Sequence, residues 1–208
     1  MSLLSNLSKA LSFKPTVREA PVRKIVLYTL MSLEGDVDDP AGYFTSSPEP
    51  GQPPNFDRVM VDNETKVTGT QDAVLLGRQM YDEWSRYWPT VTDDPFADFI
   101  NRVKKYIVTS TPLSNEWHNA EAVNGPLEDV VRDLTALPGG DIGVHGSITL
   151  AQSLLEADPV DELRLVVGPA FGFTGRRLFA TIGQIRRLEL LSTTPTPSGT
   201  VLLAYRVP

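Results

Sequence analysis

The sequence predicts an α/β fold, a three-layer α/β/α sandwich whose mixed sheet ends in an antiparallel hairpin. Three observations carry that prediction. The first is the stretch 139–179, GGDIGVHGSITLAQSLLEADPVDELRLVVGPAFGFTGRRLF. A short apolar strand (142–144) meets Gly146-Ser147, an amphipathic helix follows, and a second strand (163–167) begins after Asp158-Pro159. Strand, small-residue turn, helix and strand make a βαβ unit with an expected right-handed crossover. The second is the alternation of short apolar runs with amphipathic segments along the rest of the chain, which points to a parallel sheet centre. The third is a pair of late strands, 185–192 and 200–207, around TPTPSG, which is turn chemistry.

Each element follows from its local pattern. Residues 1–20 read as an extension in which Leu3, Leu4, Leu7, Leu11 and Phe13 form one face of a short helix that Pro15 ends. It is either a frayed tail or an arm packed on a partner subunit, and 21–208 form the domain. Residues 23–31 (RKIVLYTLM) are near-continuously apolar and fit a buried central strand. SLEGDVDDP breaks the run, with Gly35 supplying a turn. Residues 39–55 hold five prolines and two glycines, a loop long enough to be a functional lid or a flexible insertion. A polar helix is expected over 56–70, then a buried strand at 73–76 (AVLL) that runs directly into Gly77-Arg78 and a helix. Trp84, Tyr87 and Trp88 cluster before Pro89, and Phe96, Phe99, Ile100 and Val103 lie at helical spacing within 94–103. Strands at 106–109 and 120–123 and a helix over 126–137 complete the set.

Composition narrows the function. At 208 residues, with 41% hydrophobic and 22% charged residues, the chain fits one globular domain. A net charge of −7 disfavours nucleic acid or an anionic membrane as partner, since both are held by clustered Lys and Arg. With no cysteine there is no disulfide, thiolate metal site or Cys nucleophile, and the two histidines, His118 and His145, lack metal-ligand spacing. No apolar run approaches the roughly 20 residues a membrane span needs. The N-terminus has no basic start followed by an apolar core, so a cytoplasmic location is expected.

Open α/β sheets bind ligands beyond the carboxyl ends of their strands. Four small or polar turns follow predicted strands: Ser32 to Gly35, Gly77-Arg78, Ser110-Thr111 and Gly146-Ser147. If those strands are parallel neighbours, the turns gather on one edge. Gly146-Ser147 opens a helix whose first amides are unpaired, a good phosphate site. Gly77 lets backbone approach a ligand, and Arg78 offers a planar fork suited to phosphate, unless it pairs with Asp82 one helical turn on. Ser110 and Thr111 either donate hydroxyls to a phosphate or serve the turn. The glycines at 139, 140, 143 and 146 do not make GxGxxG, so a Rossmann fingerprint is not supported. His145 reads as a packing residue or, less directly, a ligand contact. Of the acids near this edge (Glu34, Asp36, Asp38, Asp39, Asp57, Asp62, Glu64), most are solvated surface, and Glu34 or Asp57 is the candidate proton donor if a pocket raises its pKa. The Gly-rich loop 168–179, with Arg176 and Arg177, shapes a substrate site or a subunit interface.

Read in order, LYTLMSLEGDV, AVLLGRQMYDEW, KKYIVTSTPLS and the 142–179 segment resemble the dihydrofolate-reductase-like family related to the C-terminal reductase domain of bacterial riboflavin biosynthesis. The resemblance implies an α/β/α fold, NADPH as hydride donor and, for many members, a homodimer. It carries Gly77, Arg78, Ser110 and Thr111 to the 2′-phosphate end of the cofactor, and Gly146, Ser147 and Ile148 to the pyrophosphate. Ser32, Leu33 and Gly35 are carried to the nicotinamide and substrate. Two departures stand out: Glu34 occupies the acid position of the SLDG motif, and Thr111-Pro112 stands where an arginine often follows the serine. The expected function is NADPH-dependent reduction of a small pteridine- or pyrimidine-like heterocycle, with Ser32, Glu34 or Asp57 polarising or protonating it. The alternative is a dinucleotide-binding or regulatory protein that keeps the fold without turnover.

Overall fold

A computed structural model describes residues 23–45 and 55–208. The expected helix of the 1–20 extension and residues 46–54 of the proline-rich loop lie outside the described residues. Eight strands form one sheet: β1 (Ile25–Met31), β2 (Gln71–Gly77), β3 (Lys104–Val108), β4 (Ala120–Val123), β5 (Asp141–His145), β6 (Glu162–Val167), β7 (Glu189–Pro195) and β8 (Val201–Arg206). Their order is β4-β3-β2-β5-β1-β6-β8-β7. The first six are parallel, and β8 runs antiparallel to both β6 and β7.

Both faces of β1 are covered, which is why its sequence reads as an unbroken apolar run. Ile25 and Leu27 pack in one core with Val130, Val131 and Leu134 of α5 (Leu127–Thr135) and Leu150, Leu154 and Leu155 of α6 (Ile148–Ala157). Val26 and Tyr28 face the opposite side, with Met60 and Val67 of α2 (Arg58–Thr68). On that side Val74, Leu76 and Ile107 meet Tyr81 of α3 (Arg78–Tyr87) and Phe96, Phe99 and Ile100 of α4 (Pro95–Arg102). Helices on both faces of a mixed sheet make the predicted three layers. The proline-rich region opens with a short helix, α1 (Pro40–Phe44), capped by Asp39.

Three details differ from expectation. The strands of the βαβ unit are not neighbours: β1 lies between them, with Leu27 opposite Val144 on one side and Leu163 on the other. Local pattern sets strand, turn and helix but not which third strand enters the gap. The first hairpin strand begins at Glu189 rather than 185, and Ile185 is 93% exposed. Arg186 binds the Asp158 carboxylate and the Glu156 carbonyl, which holds the preceding segment outside the ladder. The expected 56–70 helix is trimmed to Arg58–Thr68, because Asp57 caps it by accepting from the Val59 and Met60 amides.

Candidate functional site

The parallel order β3-β2-β5-β1 sets four strand ends side by side, so the turns after Val108, Gly77, His145 and Met31 share one edge of the sheet. A cavity of about 1250 Å³ opens there. Gly77, Arg78, Gly146, Ser147 and Ile148 line one part of it. The Gly77 amide donates to Ser147 Oγ at 2.8 Å, locking the starts of α3 and α6 together. Neither helix has a side-chain cap or an acid in its first turn, whereas Asp39, Asp57 and Asp94 cap α1, α2 and α4. Two uncapped N-termini side by side favour an anion. Gly146 has φ +65°, and a Cβ there would lie 2.8 Å from Trp84 Cζ2 and 3.0 Å from Met80 Cε. Only a bare backbone fits that turn.

Elsewhere the wall combines aliphatic side chains with an aromatic cluster and several acids. Trp84, Trp88 and Phe96 meet edge to face with centroids 5.0–5.7 Å apart, and His145 lies 5.5 Å from both Phe96 and Tyr28. The Tyr28 hydroxyl and the Trp88 indole N–H are buried with no partner. Glu64 projects from α2 into this wall. Burial, and then the nearby Asp94 carboxylate, push its carboxyl up to about 7. It is the described acid held closest to neutral pH, where a general acid works well. Burial holds His145 down at about 3, and its Nε2 lies 2.8 Å from Gln71 Oε1. A neutral imidazole there matches the packing reading, although its ring also lines the cavity.

The model of the RibD C-terminal domain matches residues 23–202. The chain belongs to that family. It is 27% identical over 192 residues to the uncharacterized protein YyaP of Bacillus subtilis (strain 168), covering 88% of this chain and 94% of YyaP. The fold matches a putative riboflavin biosynthesis protein of Shewanella sp. PV-4 with TM-score 0.66 and 18% identity, over 89% of this chain and 99% of that one. It also matches the dihydrofolate reductase of Enterococcus faecalis, solved with NADP(H) and RAB-propyl, with TM-score 0.57 and 14% identity over 88% and 96% of the two chains. The resemblance read from the sequence therefore holds for family and fold.

Within this RibD C-terminal domain the predicted residues divide sharply. Gly77, Arg78, Gly146, Ser147 and Ile148 come together on the cavity wall. Arg78 does pair with Asp82 at 2.8 Å, and it also donates to Thr111 Oγ1 at 2.6 Å and the Pro112 carbonyl at 2.9 Å. Thr111 thus positions Arg78, and Ser110 is exposed on the same turn. The first-strand turn is a correction. Ser32, Leu33, Glu34 and Gly35 are absent from the cavity wall. Ser32 is fully buried, its Oγ accepting from the Glu34 and Asp36 amides to close the turn. Leu33 points to solvent, and Gly35, at φ +81°, donates to the Ser32 carbonyl and accepts from Leu178. Glu34 accepts from the Gly172 amide at 2.8 Å. Asp57 is the second correction. Burial raises its pKa, but hydrogen bonds from Ser198, Met60 and Thr196 outweigh that and hold it at about 2, too acidic to carry a proton at neutral pH.

Four residues of the cavity wall are not among the sequence-predicted site residues: Glu64, Tyr28, Trp88 and Asp94. Glu64 carried a readable signal. It sits four residues after Met60 and three before Val67, on the buried stripe of an otherwise polar helix. A carboxylate in that stripe faces a core or a cavity.

Proposed function

We propose that this chain is a cytoplasmic NADPH-dependent oxidoreductase that reduces a small pteridine- or pyrimidine-like heterocycle, and that it works as a homodimer. The observation carrying this reading is one cavity in which a paired, uncapped helix-terminus groove continues into an aromatic end holding an acid near pH 7. The groove suits a dinucleotide: the α3 and α6 amides would hold the pyrophosphate, Arg78 the 2′-phosphate end, and the bare Gly146 turn leaves room for backbone contact. When bound, a reduced nicotinamide supplies the hydride. Glu64 keeps a proton for the acceptor nitrogen or oxygen, Tyr28 and Trp88 offer buried hydrogen-bond donors, and the Trp84, Trp88 and Phe96 rings exclude water.

Calorimetry of NADPH and NADH binding, followed by NADPH oxidation against a panel of pterins and pyrimidines, tests the reading. Arg78→Ala is expected to weaken NADPH binding roughly tenfold, about 1.4 kcal/mol, while barely changing NADH binding. An unchanged NADPH affinity would overturn the phosphate assignment. Tight NADPH binding with no oxidation across the panel would instead favour a non-catalytic dinucleotide-binding protein.

The homodimer rests on the sheet's outer strand. β7 pairs only with β8 among the described residues, and both of its faces are largely exposed. Leu190 (52% exposed) and Ile185 (93%) place apolar surface beside that edge. A bare edge of this kind is normally covered. Light scattering is expected to report a dimer, and Ile185→Asp with Leu190→Asp a monomer. A wild-type monomer at micromolar concentration would remove the dimer from the proposal.

A further inference from the structure

Among the described residues the cavity wall carries the carboxylates Asp38, Asp39, Glu83 and Asp94, the Glu64 carboxyl held near 7, and two cations, Arg78 and Arg176. Arg176 is already committed: its Nε and Nη2 donate to Asp38 Oδ1 at 2.8 and 2.5 Å, and its amide to Oδ2 at 2.6 Å. Arg78 stands at the start of α3, beside the groove assigned to the dinucleotide. Among the described residues no lysine lines the wall.

A phosphate monoester entering the aromatic end of the cavity would need cations or free backbone amides. The N-termini of α1, α2 and α4 each hold their own aspartate: Asp39 accepts from Gly42, Asp57 from Val59 and Met60, Asp94 from Ala97. The N-terminus of α5, whose Leu127 also lines the wall, has no side-chain cap but carries Glu128 and Asp129 in its first turn. An anion at the first three would displace a carboxylate cap, and at α5 it would meet two carboxylates. What the aromatic end does offer is two buried donors unpartnered among the described residues, Tyr28 O–H and Trp88 N–H, the Glu64 carboxyl, and the rings of Trp84, Trp88 and Phe96. Those groups match a flat ring with carbonyl or imine acceptors.

We propose that the molecule reduced here is a planar heterocycle without a phosphate group, a free base or nucleoside-type compound, neutral or cationic, and that the site discriminates against its phosphorylated counterpart. This rests on the reductase reading above. It also separates this chain from reduction of a phosphoribosylamino-pyrimidine. Bound NADPH sharpens the discrimination, because the cofactor's own phosphates occupy Arg78 and add negative charge to the cavity.

The test is calorimetry on the NADPH-loaded protein with two matched pairs: a 5-amino-6-ribosylaminopyrimidinedione with and without its 5-phosphate, and a hydroxyalkyl pterin with and without a side-chain phosphate. In at least one pair the phosphate-free member is expected to bind tenfold or more tightly. Glu83→Gln removes one wall charge without touching the group that raises Glu64, and is expected to narrow that gap by improving the phosphorylated member. A phosphorylated member that binds as well as or better than its partner in both pairs overturns the proposal. So does absence of binding by all four compounds to protein that holds NADPH. Failure to bind NADPH at all overturns the reductase reading instead, so the two failures are told apart.

Discussion

Glu64→Gln is expected to lower kcat by roughly two to four orders of magnitude while leaving NADPH affinity unchanged. Glutamine keeps the shape but cannot release a proton. The same variant makes a stability prediction of opposite sign. Burial and Asp94 hold the folded-state carboxyl at about 7, against 4.5 for an ordinary glutamate. Between those values the unfolded chain has lost the proton that the folded chain keeps. Folding stability therefore falls as pH rises from 4.5 through 7 and stays at the lower level above it. Glu64→Gln removes that loss, so its melting temperature should match wild type near pH 4 and exceed it at pH 8. A variant that is slower and, above pH 7, more stable is what an acid held against its own solvation predicts. The pH profile gives a second readout. Wild-type kcat should decline above about pH 7 as the acid ionises. Asp94→Asn, which removes the neighbouring charge, should move that limb to lower pH. Melting curves that stay superimposed at pH 4 and pH 8 would show that Glu64 titrates normally, and the assignment would fail.

What could be read from the sequence follows the range of the interactions involved. β1, β2, β5 and β6 announce themselves because burial on both faces demands short runs of consecutive apolar residues along their centres, and that demand is local. The Gly77-Arg78 and Gly146-Ser147 turns were legible for the same reason: a helix start needs particular residues within a few positions. The Gly77–Ser147 bond that makes them one groove spans 70 residues and left no local trace. The insertion of β1 between β5 and β6 is likewise a pairing choice between distant segments. The roles of the acids on α2 depend on helical phase rather than on closeness in sequence to the first turn. Asp57 is spent on a cap, whereas Glu64, seven residues later, lines the cavity. Ser32 is likewise spent locally, since a short hydroxyl after a strand serves its own turn before it serves a ligand.

The largest loss of stability is expected at Lys105, which the cavity does not contain. It lies on β3, fully buried, and its Nζ donates to the carbonyls of Ile100 at 2.7 Å, Val103 at 2.8 Å and Asn101 at 3.3 Å. Its ammonium also sits 4.6 Å from the centre of the Trp117 ring. These carbonyls close the C-terminal end of α4, where the helix dipole is negative and a cation belongs. Burial and the neighbouring Lys104 pull the amine down only to about 8, so it remains charged at pH 7. Lys105→Met fills the space but strands the carbonyls without a donor. The expected cost is about 3 kcal/mol, or a fall of roughly 6–12 °C in melting temperature for a chain of this size. Arginine is the informative comparison: it restores the charge but not the compact head, and a planar fork fits three converging carbonyls poorly, so it should recover only part of the loss. The effect should also reach the site. α4 begins at the Asp94 cap and brings Phe96 to the cavity wall, so loosening its far end removes both the charge that raises Glu64 and a ring of the aromatic slot. In the folded fraction of Lys105→Met, the alkaline limb of kcat should shift toward lower pH, as in Asp94→Asn. A variant that loses stability yet keeps the wild-type pH profile would show that α4 holds its N-terminus independently of its C-terminal anchor.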